Sequence, residues 1–138
     1  MGLLNVPGLG PAKPGFSRIL TFALEGNAKV NAPKFGHTES PVPAMRVTAS
    51  AATIREGRIL YDTFCYSCHG IGVVASALPD LRYASAATHA RFDAIVLAGE
   101  RRLLGMPSFG DLLTAPQARA IQAYVLSRAA ESAARKQQ

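Results

Sequence analysis

The chain has 138 residues and a mass of 14.6 kDa, room for one ordinary domain and a short extra segment. Hydrophobic residues make up 49% and charged ones 17%, which excludes a chain disordered throughout. No apolar run approaches the roughly 18 residues a membrane span needs. The formal net charge of +6 would suit nucleic acid, an anionic membrane surface or an acidic protein. It divides as +3 on each side of residue 49, without the Lys/Arg cluster of a nucleic-acid binder, so that partner is not expected.

Residues 1–49 hold six of the nine prolines and six of the twelve glycines, and include Val6-Pro7-Gly8-Leu9-Gly10-Pro11 near the start. This is the punctuation of loops. Leu20, Phe22 and Leu24 alternate ahead of Glu25-Gly26-Asn27 and read as one strand and a turn, which cannot bury a face alone. Pro33, Pro41 and Pro43 give residues 31–49 the texture of an extended linker, and most of 1–49 reads as disordered or loosely packed. Residues 1–9 lack a basic n-region and Pro7 interrupts any apolar core, so no signal peptide is legible.

Residues 50–138 read as a small all-α domain of about three helices. Ser50 or Thr53 can cap a helix running to about Cys65, with Ile54, Gly57, Tyr61 and Phe64 at steps of three and four. A second helix is expected over 86–98, with Phe92, Ile95 and Val96 inward and Gly99 as its stop. Thr114 and Gln117 form a capping box for the third, with Pro116 in its first turn and Ile121, Tyr124, Val125 and Arg128 on one face.

Two cysteines, Cys65 and Cys68, are too few for a disulfide framework, and no second pair completes a structural zinc site. A thioredoxin-type pair belongs at the start of a helix after a strand. Here His69 follows at once, and Cys-x-x-Cys-His is the attachment signature of c-type haem. Two thiols three apart can reach the two vinyl groups on one porphyrin edge and form thioethers. The next residue, His69, is then brought under the ring with Nε2 toward the iron.

Met1, Met45, Met106, His37 and His89 are the candidates for a sixth ligand. Met106 lies 37 residues after His69 in Gly105-Met106-Pro107, where Gly105 allows close backbone approach and Pro107 stiffens the loop. A neutral thioether favours reduced iron; the competing reading is a Met filling a core gap. His89 reads as an exposed helix residue and His37 lies in the linker; either would give a lower-potential bis-His haem. Gly57 inside a helix suggests close crossing by the third helix, with Tyr61 and Tyr124 beside the contact. Pro79 is a candidate to accept a hydrogen bond from His69 Nδ1–H and fix its tautomer. Arg82 could pair with a haem propionate or be solvated, and Arg101-Arg102 reads as a surface pair that helps docking.

These residues carry a resemblance. Gly57, Tyr61, the CYSCHG segment, Pro79 with Leu81, Met106 and the helix bearing Tyr124 make residues 50–131 resemble a class I cytochrome c domain. More narrowly, GRILYDTFCYSCHG, PDLRYASAATHARFDAIVLAGERRLLGMPSFGDLLT and AIQAYVLSRA resemble the C-terminal cytochrome domain of quinohaemoprotein alcohol dehydrogenases. That resemblance implies a cytochrome c-like helical fold around one covalent haem c. It implies electrons accepted from a quinoprotein dehydrogenase domain and passed to a redox protein or a quinone. In that family a β-propeller holds pyrroloquinoline quinone (PQQ) with calcium; SRILTFALEGNAKV, within residues 1–30, is similar to its closing strand and 31–49 to the interdomain linker.

Nearly all of such a propeller is absent, so the chain is expected to be a C-terminal fragment or an independent cytochrome derived from such an enzyme. Haem attachment implies the periplasm, and the missing signal peptide agrees with a fragment. The leading expectation is an electron-transfer module that is not an enzyme by itself. The alternatives are a haem enzyme or ligand-binding domain with a labile Met106, a stand-alone periplasmic cytochrome, and a haem-free thiol redox protein.

Overall fold

The structure, a computed structural model, describes residues 45–75 and 78–135. The chain divides into two units, Met1–Phe35 and Gly36–Gln138, and every described residue belongs to the second. The strand expected near residues 16–24, the propeller-like segment 1–30 and the linker as far as residue 44 lie outside the described residues.

Among the described residues every regular element is helical. Helix α1 (Ala51–Phe64) begins at Ser50, whose backbone is extended and whose Oγ accepts the Thr53 N–H at 3.1 Å. Ser50 is therefore the cap, and Thr53 sits in the first turn. A four-residue helix α2 (Tyr66–His69) follows directly.

The long helix α5 (Ala115–Arg135) opens with the expected reciprocal cap. The Thr114 N–H donates to Gln117 Oε1 at 2.9 Å and the Gln117 N–H to Thr114 Oγ1 at 3.4 Å. Helices α1 and α5 form the most extensive contact in the fold. They cross at Gly57, where a Cβ would overlap the carbonyl oxygen of Ala120 and lie 2.5 Å from its carbonyl carbon. Only a hydrogen fits there, which accounts for a Gly in the middle of a helix. Tyr61 and Tyr124 pack edge to face beside the crossing with ring centroids 5.4 Å apart. Ile121, Val125, Val73, Val96 and Leu113 complete the buried core.

The middle segment departs from expectation. The single helix expected over 86–98 is two short ones, α3 (Ala86–Ala90) and α4 (Phe92–Val96), broken at Arg91 with φ −103° and ψ 14°. The Arg91 N–H turns back to the Thr88 carbonyl at 3.1 Å, tightening the last turn of α3. The Arg91 guanidinium is drawn out to the carboxylate of Glu100. The apolar spacing of Phe92, Ile95 and Val96 continues across the break, so periodicity could not register it. Ser85 caps α3, its Oγ accepting the Thr88 N–H at 3.2 Å.

Candidate functional site

The site grows out of the end of α1. The Cys65 N–H closes the last α1 turn on the Tyr61 carbonyl at 2.8 Å. The Cys65 carbonyl then accepts the N–H groups of Cys68 at 3.2 Å and His69 at 2.9 Å. One turn of backbone thus carries both thiols and the imidazole. Cys65 and Cys68 are both free thiols, Cys65 half-buried and Cys68 exposed. Burial first, and Cys68 beside it second, push the Cys65 thiol up to about 12. A nucleophilic thiol of the redox type sits in the opposite environment, one that lowers its pKa.

His69 Nδ1 lies 3.2 Å from the carbonyl oxygen of Pro79. With Nδ1–H donating there, the imidazole is the tautomer whose Nε2 lone pair is available to a metal. The His69 backbone is held as well: Tyr61 Oη–H donates to the carbonyls of His69 at 3.0 Å and Gly70 at 2.8 Å. The Tyr61 ring is fully buried, and burial pushes its hydroxyl far above the ordinary phenol value, so it stays a donor.

Met106 stands on the loop that follows the short 3-10 turn Arg102–Leu104. Its N–H donates to the Arg101 carbonyl at 3.2 Å, behind that turn. Two further bonds anchor the loop to the end of α4: Phe109 N–H to Val96 O at 2.8 Å and Ser108 Oγ–H to Leu97 O at 2.5 Å. Met106 is half-buried and packs against the same core cluster as Phe64, Cys65, Leu81, Leu97 and Phe109. Gly105 carries a different requirement from the one expected. Nothing lies within 4 Å of where its Cβ would be, and its φ of +90° supplies the left-handed turn ahead of Met106.

Arg82 is not solvated. Its guanidinium forks onto Asp80 through Nε–Oδ1 at 3.0 Å and Nη2–Oδ2 at 2.6 Å, while Nη1 donates to Ser132 Oγ at 3.1 Å. Both charged side chains are largely buried, so the pair ties the 3-10 turn Leu81–Tyr83 to α5 just after Pro79. Asp80 also caps that turn by accepting the Arg82 N–H at 3.0 Å. Arg101 and Arg102 immediately precede Leu103, which is fully exposed.

His89 corrects the expectation of an exposed helix residue: it is 5% exposed. Its ring stacks on Phe92 at 6.3 Å with the planes 3° apart. Gln122 Nε2 on α5 lies 3.4 Å from His89 Nδ1 and 2.7 Å from the His89 carbonyl oxygen. The short Ala-Ala-Thr-His-Ala segment gives no sign of this burial, which comes from Phe92 beyond the break at Arg91 and from Gln122 on α5. Burial lowers the His89 pKa, so the unfolded chain takes up a proton before the folded one. Stability should be fully present above the ordinary imidazole value of about 6.5 and fall as the pH drops below it, by at most about 1.4 kcal/mol per pH unit from this group. Urea unfolding at pH 7.5 and 5.5 should show this loss, and His89→Phe should reduce it.

The donor set fits haem. A neutral imidazole and a neutral thioether are ligands of low-spin haem iron, and two free thiols sit beside the imidazole. Cys65 and Met106 pack against the same core cluster as the partly buried Phe64, Leu81, Leu97 and Phe109, apolar surroundings that suit a porphyrin. The sequence family described as "Cytochrome C oxidase, cbb3-type, subunit III" matches residues 52–125, more than half of the chain. The chain belongs to the cytochrome c family.

Relatives place this cytochrome c domain further. The chain is 40% identical over 132 residues to "Quinohemoprotein alcohol dehydrogenase ADH IIB" of Pseudomonas putida, covering 91% of this chain and 18% of that protein. It is 34% identical over 113 residues to "1-butanol dehydrogenase (cytochrome c)" of Thauera butanivorans, covering 80% of this chain and 16% of that protein. Among solved structures, that of quinohemoprotein alcohol dehydrogenase ADHIIG from Pseudomonas putida HK5 matches with a TM-score of 0.63 and 37% identity. That match covers 77% of this chain and 15% of the other. The chain therefore spans less than a fifth of the relatives it matches, over their cytochrome c region. No helix among the described residues is long and apolar enough to cross a membrane.

Proposed function

We propose that this cytochrome c domain transfers electrons through a single covalent haem c, with His69 and Met106 as the axial ligands of its iron. Cys65 and Cys68 supply the thioethers, His69 presents Nε2, and Met106 presents Sδ from the anchored loop. The observation that carries this reading is the 3.2 Å contact between His69 Nδ1 and the Pro79 carbonyl, which sets the tautomer that leaves Nε2 free to bind iron. A haem c held by these residues would supply one-electron chemistry between the ferrous and ferric states. The chain's residues keep the geometry constant between them: Pro79 and Tyr61 hold His69, and the bonds to Arg101, Val96 and Leu97 hold the Met106 loop. Two protein ligands leave no open position for substrate.

The finer context follows the relatives. In this reading residues 50–138 are the cytochrome domain. A quinoprotein dehydrogenase portion, holding PQQ and calcium, is the electron donor, and a redox protein or a quinone the acceptor. The setting is the periplasm. Arg82 reaches a propionate only with donors beyond those it gives to Asp80 and Ser132.

Protein produced alongside haem-attachment machinery should show, when reduced, the sharp α band of a c-type haem, and the haem should resist acid-acetone extraction. Met106→Ala should lose the weak sulfur-to-iron band of the oxidised form and lower the midpoint potential, whereas His89→Phe should keep both. Extractable haem in the unmodified protein would overturn the reading. So would carbon monoxide binding to the reduced form, which would point to a labile Met106 and an open site.

A further inference from the structure

The segment after His69 has an unusual backbone. Three of its first four residues have positive φ: Gly70 (+78°), Gly72 (+62°) and Val73 (+67°). A β-branched residue with positive φ is an outlier, and such conformations cost on the order of 1–3 kcal/mol. Val73 is fully buried in the core, and a Cβ on Gly70 would lie 2.7 Å from the Val74 carbonyl carbon. Something outside the segment must hold this turn in place. Two side chains do so from the two crossing helices. Tyr61 of α1 places one hydroxyl proton between the carbonyls of His69 and Gly70, and Arg128 Nε of α5 donates to the Gly72 carbonyl at 3.2 Å.

We infer that Tyr61 is a positioning residue for His69: its shared hydroxyl proton fixes the peptide planes on either side of Gly70 and so aims the imidazole. The inference rests on His69 being the iron ligand proposed above. The geometry gives the hydroxyl this reach. The ring is fully buried and packs edge to face on Tyr124, which holds Oη in place. Its two acceptors belong to the peptide units that join His69 to the strained turn. His69 is thus held at two points, Nδ1 by Pro79 and the main chain by Tyr61. Removing the Tyr61 tether lets the His69 main chain shift and lengthens the Nδ1–Pro79 contact. A weaker Nδ1–H bond makes the imidazole a poorer donor to ferric iron.

Tyr61→Phe in the haem-loaded protein deletes the hydroxyl and keeps the ring. Exchange of the His69 Nδ1 proton with solvent, followed by NMR, should accelerate at least tenfold, and the midpoint potential should shift positive. A core variant of matched stability loss, Val125→Ala, should change neither. If Tyr61→Phe does not fold, Arg128→Met releases the other tether and should give the same two changes, smaller in size. In the unmodified protein the Tyr61 hydroxyl proton should be in slow exchange and coupled to the labelled carbonyls of His69 and Gly70. Tyr61→Phe that unfolds more easily but leaves proton exchange and potential unchanged would overturn the inference, as would a freely exchanging hydroxyl. An unmodified protein without His69-ligated haem would instead overturn the functional reading, so the two failures are distinguishable.

Discussion

The double variant Cys65→Ser, Cys68→Ser is expected to carry no covalent haem at all. Serine is close to cysteine in size, and the turn that presents residues 65, 68 and 69 is built from backbone bonds to the Tyr61 and Cys65 carbonyls. The substitution therefore leaves the geometry of that turn in place and removes only the sulfur. Hydroxyls do not add to vinyl groups as thiols do, so the intact mass should be that of the bare chain. Any haem recovered with it should extract fully into acid-acetone. Each single variant should retain one thioether and resist extraction. Covalent haem on the double variant, seen by mass, would remove the assigned role of this motif.

Gly57→Ala should be among the most damaging single substitutions in the chain. By helix propensity alone it would stabilise α1 by about 1 kcal/mol. The added methyl meets the Ala120 carbonyl, which is main chain inside α5 and has no rotamer to change. The two helices must separate, and overpacking of this kind costs about 3 kcal/mol. The net loss should appear as a fall in Tm on the order of 10 °C for a domain of this size. Glu56→Ala, one position earlier on the exposed side of α1, should leave Tm nearly unchanged. Because the clash is with backbone, no replacement at position 120 should rescue Gly57→Ala. A variant as stable as the parent would mean that α1 and α5 do not meet at Gly57.

How far the sequence reveals this molecule depends on how local each feature is. Ser50, Thr114 and Gln117 announce their helices because a cap is decided within four residues. Gly57 is legible for a different reason: a costly residue in a helix interior needs a cause, and close crossing is the usual one. The Cys65-to-His69 motif is legible because its spacing is its function. The break at Arg91 is not, since a single bent residue leaves the apolar spacing on both sides intact. His89 hides because its burial depends on Gln122, a residue of another helix. Arg82 is similar: its partner Asp80 is two residues away, but the burial that makes the pair tight comes from α5 through Ser132. Tyr61 reads as a core aromatic, and only the fold shows that its hydroxyl has somewhere specific to go.

The crossing of α1 and α5 also says something about the order of assembly. Its two sides, Gly57 and Ala120, lie about sixty residues apart, and closing so long a loop is entropically costly and slow relative to local turns. Everything between them, including both thiols, His69 and the Met106 loop, belongs to that loop. The capped turn of α1 can form early, but its buried face has no lid until the last helix arrives. A chain that is cut or stalled before residue 115 would keep the entire Cys65-to-Met106 segment and still lack the wall that seals it. Such a chain should be a far better substrate for proteases than the complete one.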